Sequence, residues 1–147
     1  RSILADPTRT DMKDRINATV KFREEFRPFA PSVLAERAAE FFEGCKDSPF
    51  MLFVYPVVEA WRERLPAITH VDGTARVQTV TRETNPLYYS MIEAFERKRG
   101  VPVVLNTSFN VMGEPIVNTP EDAIRCYLNS GIQALVIGPY VVEKPAS

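Results

Sequence analysis

The apolar residues of the chain cluster into short runs that predict strands. Residues 50–56 form a strongly apolar run, which is typical of a strand. Residues 101–105 carry apolar side chains at every position, as a strand does when both faces of its sheet are covered, so we expect this segment inside the sheet. Residues 132–137 form a third run and are predicted as another buried strand, and residues 2–5 as a brief extended piece.

Capping residues mark the two clearest helices. One is predicted over 86–99, because Asn85 can cap it, a proline opens it and Gly100 follows it. Its apolar side is expected to consist of residues at four-residue spacing, namely Leu87, Met91 and Phe95. The other helix is predicted to begin at Thr119, which is followed by a proline and two acidic residues, and to end at Gly131.

The segments between these elements are shorter. Helices are expected over 7–19 and 37–42. The prolines at positions 28 and 31 disfavour helix over 20–33, which is predicted as a strand or an extended loop. An antiparallel hairpin is predicted from 68–71 and 76–81, because Asp72-Gly73 between them is a favourable turn pair.

The order of the elements predicts an α/β fold. From residue 101 onward a strand, a loop, a helix and a second strand follow one another, which is the order of a β-α-β unit, whereas the middle of the chain is predicted as antiparallel hairpin. A mixed twisted sheet with flanking helices follows. The 147 residues are enough for one domain, and because the chain opens with Arg1 rather than methionine we expect a domain taken from a longer protein.

The composition narrows the possible functions. Lys and Arg number 18 against 19 Asp and Glu, and the resulting net charge of −1 provides no overall field that would attract nucleic acid or an acidic membrane. No apolar run approaches the roughly 20 residues that cross a bilayer. One histidine and two cysteines argue against an intrinsic transition-metal site and a disulfide scaffold, and they suit the reducing cytoplasm.

A basic segment provides the first candidate site. Side chains two residues apart share a face of an extended chain, so one face of 21–27 is expected to carry Lys21, Arg23, Glu25 and Arg27. The phenylalanines between them would face the core, while the three cations would point at an anion such as a phosphate or a carboxylate. The alternative is a solvated surface strand whose charges pair with one another.

A polar cluster after the apolar run 101–105 is the second candidate. It consists of Asn106, Thr107, Ser108 and Asn110, and Gly113 follows. Ligands of α/β sheets bind beyond the carboxyl ends of strands, and this cluster offers uncharged donors and acceptors there. The alternative is a plain turn, since Asn and Ser favour turns.

The third candidate is the segment around Arg76. An inward-facing arginine at this strand position would need an anionic partner, whereas an outward one would be solvated. His70 could act as a general base or be a hydrogen-bonded structural residue. Because the chain has no glycine-rich phosphate loop, any nucleotide would be held by side-chain cations.

Four ordered stretches resemble a known family. They are residues 1–7 (RSILADP), 21–31 (KFREEFRPFAP), 69–79 (THVDGTARVQT) and 105–110 (LNTSFN) with Gly113-Glu-Pro115. Their sequences resemble the carboxyl-terminal domain of the NodU/CmcH family of carbamoyltransferases, and the resemblance covers nearly the whole chain. Members of that family place carbamoyl groups on hydroxyls of metabolites.

The resemblance implies a fold, a reaction and a set of residues. It implies a YrdC-like domain that forms carbamoyl adenylate from carbamoyl phosphate and ATP, with Mg²⁺ carried by the nucleotide. A larger N-terminal domain of actin-like ATPase type would transfer the carbamoyl group. By motif position, Lys21, Arg27, Arg76 and Ser108 would hold the phosphates and the carbamoyl group. Asn106, Arg1 and Arg23 are further binding candidates.

Two other functions remain open at this stage. A non-catalytic nucleotide-binding module that regulates a partner domain would bind ATP without forming an adenylate. An RNA-binding module, which the YrdC resemblance also suggests, would need basic and aromatic residues interleaved along a surface, and the net charge of −1 provides little of that footprint.

Overall fold

Strands and short helices alternate along the chain in a computed structural model that describes residues 1–22 and 28–145. The strands are β1 (Ser2–Ala5), β2 (Ala30–Leu34), β3 (Phe53–Pro56), β4 (Thr74–Val80), β5 (Val103–Ser108), β6 (Ala134–Ile137) and β7 (Tyr140–Glu143). The α-helices are α1 (Met12–Ile16), α2 (Ala38–Phe41), α3 (Glu59–Arg62), α4 (Pro86–Arg99) and α5 (Pro120–Leu128). A π-helical turn (Asn17–Lys21) continues α1, and a 3₁₀ turn (Ala35–Arg37) precedes α2.

Five strands form one mixed sheet in the order β1-β5-β2-β4-β3. Strand β5 is antiparallel to both of its neighbours, β2 is parallel to β4, and β3 closes the other edge antiparallel to β4. The run 101–105 is buried because the two core clusters cover opposite faces, with Val103 and Leu105 in one and Val104 in the other. The strand itself begins at Val103 and continues to Ser108, so Asn106, Thr107 and Ser108, which were expected beyond its end, lie within it. The predicted mixed α/β sheet with flanking helices is confirmed.

Each face of the sheet is covered by different helices. On one face Val33, Val77, Val103 and Leu105 pack with residues of α1, α2 and α5 in the larger core cluster. On the other face α4 packs on Leu34, Val80 and Val104 through Tyr89 and Ile92. The expected apolar side of α4 is therefore shifted, since Leu87 is 83% exposed and Ile92 is fully buried. Packing against the sheet decides which side of α4 is buried, and four-residue spacing alone did not identify that side.

The last strand differs from the prediction. Strand β6 pairs with β7 in a separate antiparallel sheet, across a turn at Gly138 with φ +56°, and only Leu135 of β6 is fully buried. The predicted buried strand and the β-α-β unit are therefore wrong. Strand β5 already has hydrogen-bonded neighbours on both sides, β1 and β2, so no edge of it is open to β6.

The predicted hairpin around Asp72-Gly73 is half correct. The turn forms, with His70 N donating to Thr74 O at 2.8 Å. Strand β4 then pairs with β3 and β2, while Ile68 N donates to Leu65 O in a helical turn. Residues 68–71 are therefore not a strand, because the apolar segment that ends at 56 takes the edge position beside β4.

The amino-terminal helix begins and ends later than expected. It starts at Met12 and continues as the π-helical turn to Lys21, so Val20 and Lys21 are helical where an extended chain was predicted. Residues 30–34 are a strand as expected, and residues 23–27 lie outside the described residues. The π turn buries Val20 in the core, and Phe22 at its end has a left-handed φ of +48°.

The other helix predictions hold in part. Helix α4 ends at Gly100, whose φ of +76° is the left-handed geometry that a glycine cap adopts. Helix α5 has the predicted Thr119 cap, with Asp122 N donating to Thr119 Oγ1 at 3.1 Å, but it ends at Leu128 rather than at Gly131. Within residues 1–22 and 28–145, no helix combines the length and the apolar character that crossing a bilayer requires.

Candidate functional site

Lys21 and Ser108 meet at the carboxyl end of β5, although 87 residues separate them. The Lys21 side chain is 1% exposed, and its Nζ donates to Ser108 O at 2.5 Å and to Ser108 Oγ at 3.1 Å. Nζ also donates to Asn110 Oδ1 at 2.6 Å and to Asn110 O at 3.0 Å. Two of the predicted site residues are thus in direct contact, and we name Lys21, Ser108 and Asn110 the lysine cluster.

The lysine cluster exists because of the π-helical turn. Ile16 and Val20 pack into the core and fix the helix against the sheet. The wider turn then places Lys21 over the end of β5, and Phe22 leaves the helix in the left-handed region. Insertions of this kind are frequent at functional sites because they re-aim a side chain. A buried ammonium is stable only among acceptors, and here oxygens of two residues supply them.

Asn110, the third member of the lysine cluster, belongs to the predicted polar cluster after residues 101–105 but is not among the residues that the family resemblance implied. Its Oδ1 also accepts from Ser108 Oγ at 2.7 Å, and its Nδ2 donates to Glu114 O at 2.8 Å, so it ties the loop after β5 to the lysine. The available signal was its position two residues after Ser108 in the same polar stretch.

Asn106 lies two residues before Ser108 and belongs to a separate network. It is 9% exposed, and its Nδ2 donates to Ser32 Oγ and to Gln78 Oε1, both at 3.0 Å. Ser32 Oγ donates to the same Gln78 oxygen at 2.7 Å. The three side chains therefore connect β5, β2 and β4. Tyr88 Oη lies beside Ser32 and Asn106 and has no hydrogen bond of standard geometry to the described residues, and burial raises the pKa of Tyr88 to about 12.

Arg76 lies on the same face of the sheet as this network. It precedes Gln78 by two residues in β4, and alternate residues of a strand share a face. Asn106 pairs with Ala30, and the parallel register that joins Ser32 to Gln78 places Arg76 opposite Ala30. The two residues are thus two strands apart, about 10 Å between backbones. Arg76 is exposed, so its guanidinium is available to a ligand on this face.

The other predicted cations fall into two groups. Arg23 and Arg27 lie outside the described residues, so the expected cationic face of 21–27 is described only at Lys21. Arg1 is exposed beside the loop that follows β5. Its Nε donates to Val117 O at 2.8 Å, and its carbonyl oxygen accepts from Phe109 N at 2.9 Å. Arg1 therefore holds this loop through one guanidinium nitrogen.

His70 belongs to the turn before β4. Its Nδ1 lies 3.1 Å from Thr74 Oγ1, and burial is the main cause that lowers the pKa of the imidazole. The neighbouring Asp72 accepts from Thr74 N at 3.0 Å and from Thr74 Oγ1 at 2.7 Å. These contacts order the turn that leads into β4 and Arg76. Across the described ranges, no group of three or more His, Cys, Asp and Glu side chains is arranged to hold a metal ion.

The arrangement suits an anionic ligand. A lysine, a hydroxyl and an amide converge at the end of β5, and an exposed arginine lies on the face to which the side chains of Ser108 and Asn106 belong. Fixed cations of this kind bind phosphate groups, an ammonium as a compact charge and a guanidinium as a planar fork. Such groups also stabilise negative charge that develops during a reaction.

Comparison with known proteins gives matches along nearly the whole chain. The family model described as Carbamoyltransferase C-terminus matches residues 1–144. Nodulation protein NolO of Bradyrhizobium diazoefficiens is 56% identical, over 100% of this chain and 28% of its own length. Nodulation protein NolNO of Sinorhizobium fredii is 54% identical, over 98% of this chain and 22% of its own length. An uncharacterized protein of Methanocaldococcus jannaschii is 42% identical, over 98% of this chain and 24% of its own length.

The extent of these matches decides the family. The chain spans about a quarter of the length of each of these relatives, and the part it spans is the one that the family model describes. The matched residues include both members of the Lys21–Ser108 contact as well as Arg76. The chain therefore belongs to the carbamoyltransferase family and corresponds to its C-terminal region.

Proposed function

We propose that this domain binds ATP and carbamoyl phosphate and forms carbamoyl adenylate, as one part of an enzyme that carbamoylates a hydroxyl of a metabolite. The observation that carries the proposal is the contact of Lys21 with Ser108 and Asn110, which fixes a buried cation at the end of a central strand. Arg76 supplies a second, exposed cation on the sheet face that carries the Ser108 side chain. Membership of the carbamoyltransferase family supports the carbamoyl group as the cargo.

The reaction needs little from the protein besides positioned charge. Carbamoyl phosphate loses phosphate to water and leaves carbamate. A carbamate oxygen then forms a bond to the α-phosphorus of ATP, and the bond from that phosphorus to pyrophosphate breaks. Both reactants are anions, so the protein must bring like charges together and neutralise the charge on the leaving group. Lys21 and Arg76 would do so, with Arg23 and Arg27 as the further cations of the basic segment.

The charges of Lys21 and Arg76 suit a nucleotide polyphosphate, and neither side chain is a ligand for Mg²⁺. We propose that the metal ion is held by phosphate oxygens and water, as is usual for this ion, which keeps much of its hydration shell. Lys21 would turn one N–H toward the ligand while the others keep contact with the β5 oxygens. The Ser108 hydroxyl would orient the bound group.

The remainder of the protein would complete the reaction. The relatives are about four times longer than this chain, and we propose that a preceding N-terminal domain accepts the carbamoyl group and transfers it to the hydroxyl. We place the enzyme in the cytoplasm, since Cys45 and Cys126 are both free thiols within the described chain. Neither nucleic acid nor a membrane is expected as a partner, given the net charge of −1.

Exchange of labelled pyrophosphate into ATP tests the proposal. The full-length protein should catalyse this exchange only when carbamoyl phosphate is present, because exchange requires reversible formation of the adenylate. Arg76→Ala should reduce the exchange, while Arg97→Ala, which removes an exposed arginine from the last turn of α4, should not. ATP binding by calorimetry without any exchange would instead support a non-catalytic nucleotide-binding module.

A further inference from the structure

Asn17 has a buried amide side chain that makes no hydrogen bond to the described residues. The residue is 5% exposed, and neither Nδ2 nor Oδ1 has a hydrogen-bond partner within residues 1–22 and 28–145. A buried amide without partners destabilises a fold, and native proteins rarely retain one without a use. Such a side chain therefore indicates a partner from outside the chain, which is either a ligand or an ordered water.

The position of Asn17 favours a ligand at the lysine cluster. Asn17 and Lys21 are the first and last residues of the π-helical turn. Residues four to five apart lie on the same side of such a helix, so the Asn17 amide shares a side with the lysine that contacts Ser108 and Asn110. The backbone of Asn17 is engaged, since its carbonyl oxygen accepts from Phe22 N at 2.6 Å. Only its side chain is left for recognition.

The chemistry of an amide matches that of a carbamoyl group. The Asn side chain offers N–H donors at one end and a carbonyl acceptor at the other. A carbamoyl group presents the complementary pair, a carbonyl oxygen and an NH₂. On the basis of the function proposed above, we propose that Asn17 recognises the carbamoyl group, with Nδ2 donating to the carbamoyl oxygen and Oδ1 accepting from the carbamoyl NH₂.

This contact would set the specificity of the site. An acetyl group has the size of a carbamoyl group but carries a methyl in place of NH₂, so it would leave Oδ1 of Asn17 buried and unpaired. Sites that bond a substrate N–H reject analogues that lack it far more strongly than apolar pockets do. Because the amide is enclosed, side chains around it must shift when the ligand enters, and the closed site then keeps water from the adenylate.

Two substitutions in the full-length protein test the proposal. Asn17→Leu replaces the amide by an apolar group of similar size. Asn17→Ala is smaller than the native side chain, so any effect it has on binding cannot come from a steric clash. In wild type, calorimetry should show that carbamoyl phosphate binds at least tenfold more tightly than acetyl phosphate. Both variants should lose this preference, and the KM for carbamoyl phosphate in the exchange reaction should rise about 10- to 100-fold with the KM for ATP within about twofold. Asn129→Leu, at the exposed end of α5, is the matched control and should resemble wild type.

Thermal unfolding without ligand separates recognition from a structural role. Because the amide has no partner to lose, Asn17→Leu should unfold at the wild-type temperature or above it. Wild-type preference and KM values in both variants would overturn the role of Asn17 while leaving the proposed function intact, and destabilisation of both variants would show a structural amide. A wild-type protein without carbamoyl-phosphate-dependent exchange would overturn the proposed function itself.

Discussion

Lys21 Nζ lies 2.6 Å from Asn110 Oδ1, and the same oxygen accepts from Ser108 Oγ at 2.7 Å. One amide oxygen thus joins the π-helical turn to the end of the central strand β5. The lysine is 1% exposed, and within the described residues its ammonium donates to these oxygens. This geometry explains how the end of β5 and the loop after it hold a buried cation in place.

Replacement of Lys21 should affect both activity and stability. Lys21→Met keeps the aliphatic length but leaves oxygens of Ser108 and Asn110 without their donor, so the free energy of unfolding should fall by about 1–3 kcal/mol. Exchange activity should fall roughly 10²- to 10³-fold. Urea unfolding and pyrophosphate exchange measure the two effects. Lys98→Met, at the exposed end of α4, is the control and should leave both unchanged. A pyrophosphate-exchange rate equal to that of wild type in Lys21→Met would show that the lysine does not take part in the reaction.

Asn110 should tolerate a change that keeps its oxygen better than one that removes it. Asn110→Asp retains an acceptor for Lys21 Nζ and Ser108 Oγ and loses the donor to Glu114 O, whereas Asn110→Ala loses all three contacts. We therefore expect activity in the order wild type, Asp variant, Ala variant, with the Ala variant at least about tenfold below wild type. Equal activity of the two variants would show that the contact with the lysine does not matter for the reaction.

Arg76→Ala should lower activity without lowering stability. The side chain is exposed, so its removal should change the free energy of unfolding by less than about 0.5 kcal/mol. A lost fixed donor to a phosphate should cost roughly 10²- to 10³-fold in turnover. Arg97→Ala removes the same charge from the exposed last turn of α4 and serves as the control. Equal turnover of the two variants would place Arg76 outside the reaction.

Gly131 should be intolerant of any side chain. A Cβ at this position would lie 2.2 Å from Thr19 Cβ, because Gly131 N donates to Thr19 O at 2.9 Å and holds the two backbones together. Gly131→Ala should therefore lower the free energy of unfolding by about 1–3 kcal/mol. Thr19→Gly removes the clashing carbon. The double variant should therefore lose less free energy of unfolding than the sum of the losses of the two single variants. Additive single effects in a double-mutant cycle would contradict the steric explanation.

Tyr88 should make stability fall at high pH. Burial raises the pKa of this phenol to about 12, whereas an unfolded tyrosine titrates near about 10. Since the raised pKa means that the folded state favours the neutral form, the contribution is complete below pH 10 and is lost as the pH rises toward 12. Urea unfolding between these limits should show a shallower decline for Tyr88→Phe than for wild type. Parallel declines would indicate that the hydroxyl is not enclosed.

The sequence by itself predicted the features that depend on local rules. The caps at Asn85 and Thr119, the glycine stop at Gly100 and the apolar first half of the central strand β5 all follow from neighbours a few residues apart. The motif order also led to the carbamoyltransferase family, and it selected Lys21 and Ser108, which prove to be in contact. Their roles in binding stay predictions until the variants above are measured.

Only the tertiary structure decided which strands pair and which polar groups meet. Strand β6 lies outside the main sheet because β1 and β2 occupy both positions beside β5, and no local sequence signal indicates that competition. Lys21 became helical because burial of Val20 outweighed the extended preference inferred from the prolines further along. The choice of Asn110 over Asn106 as the partner of the lysine likewise depends on an 89-residue contact. Local propensities are fixed by covalent neighbours, whereas register and charge pairing depend on free energies shared across the whole core.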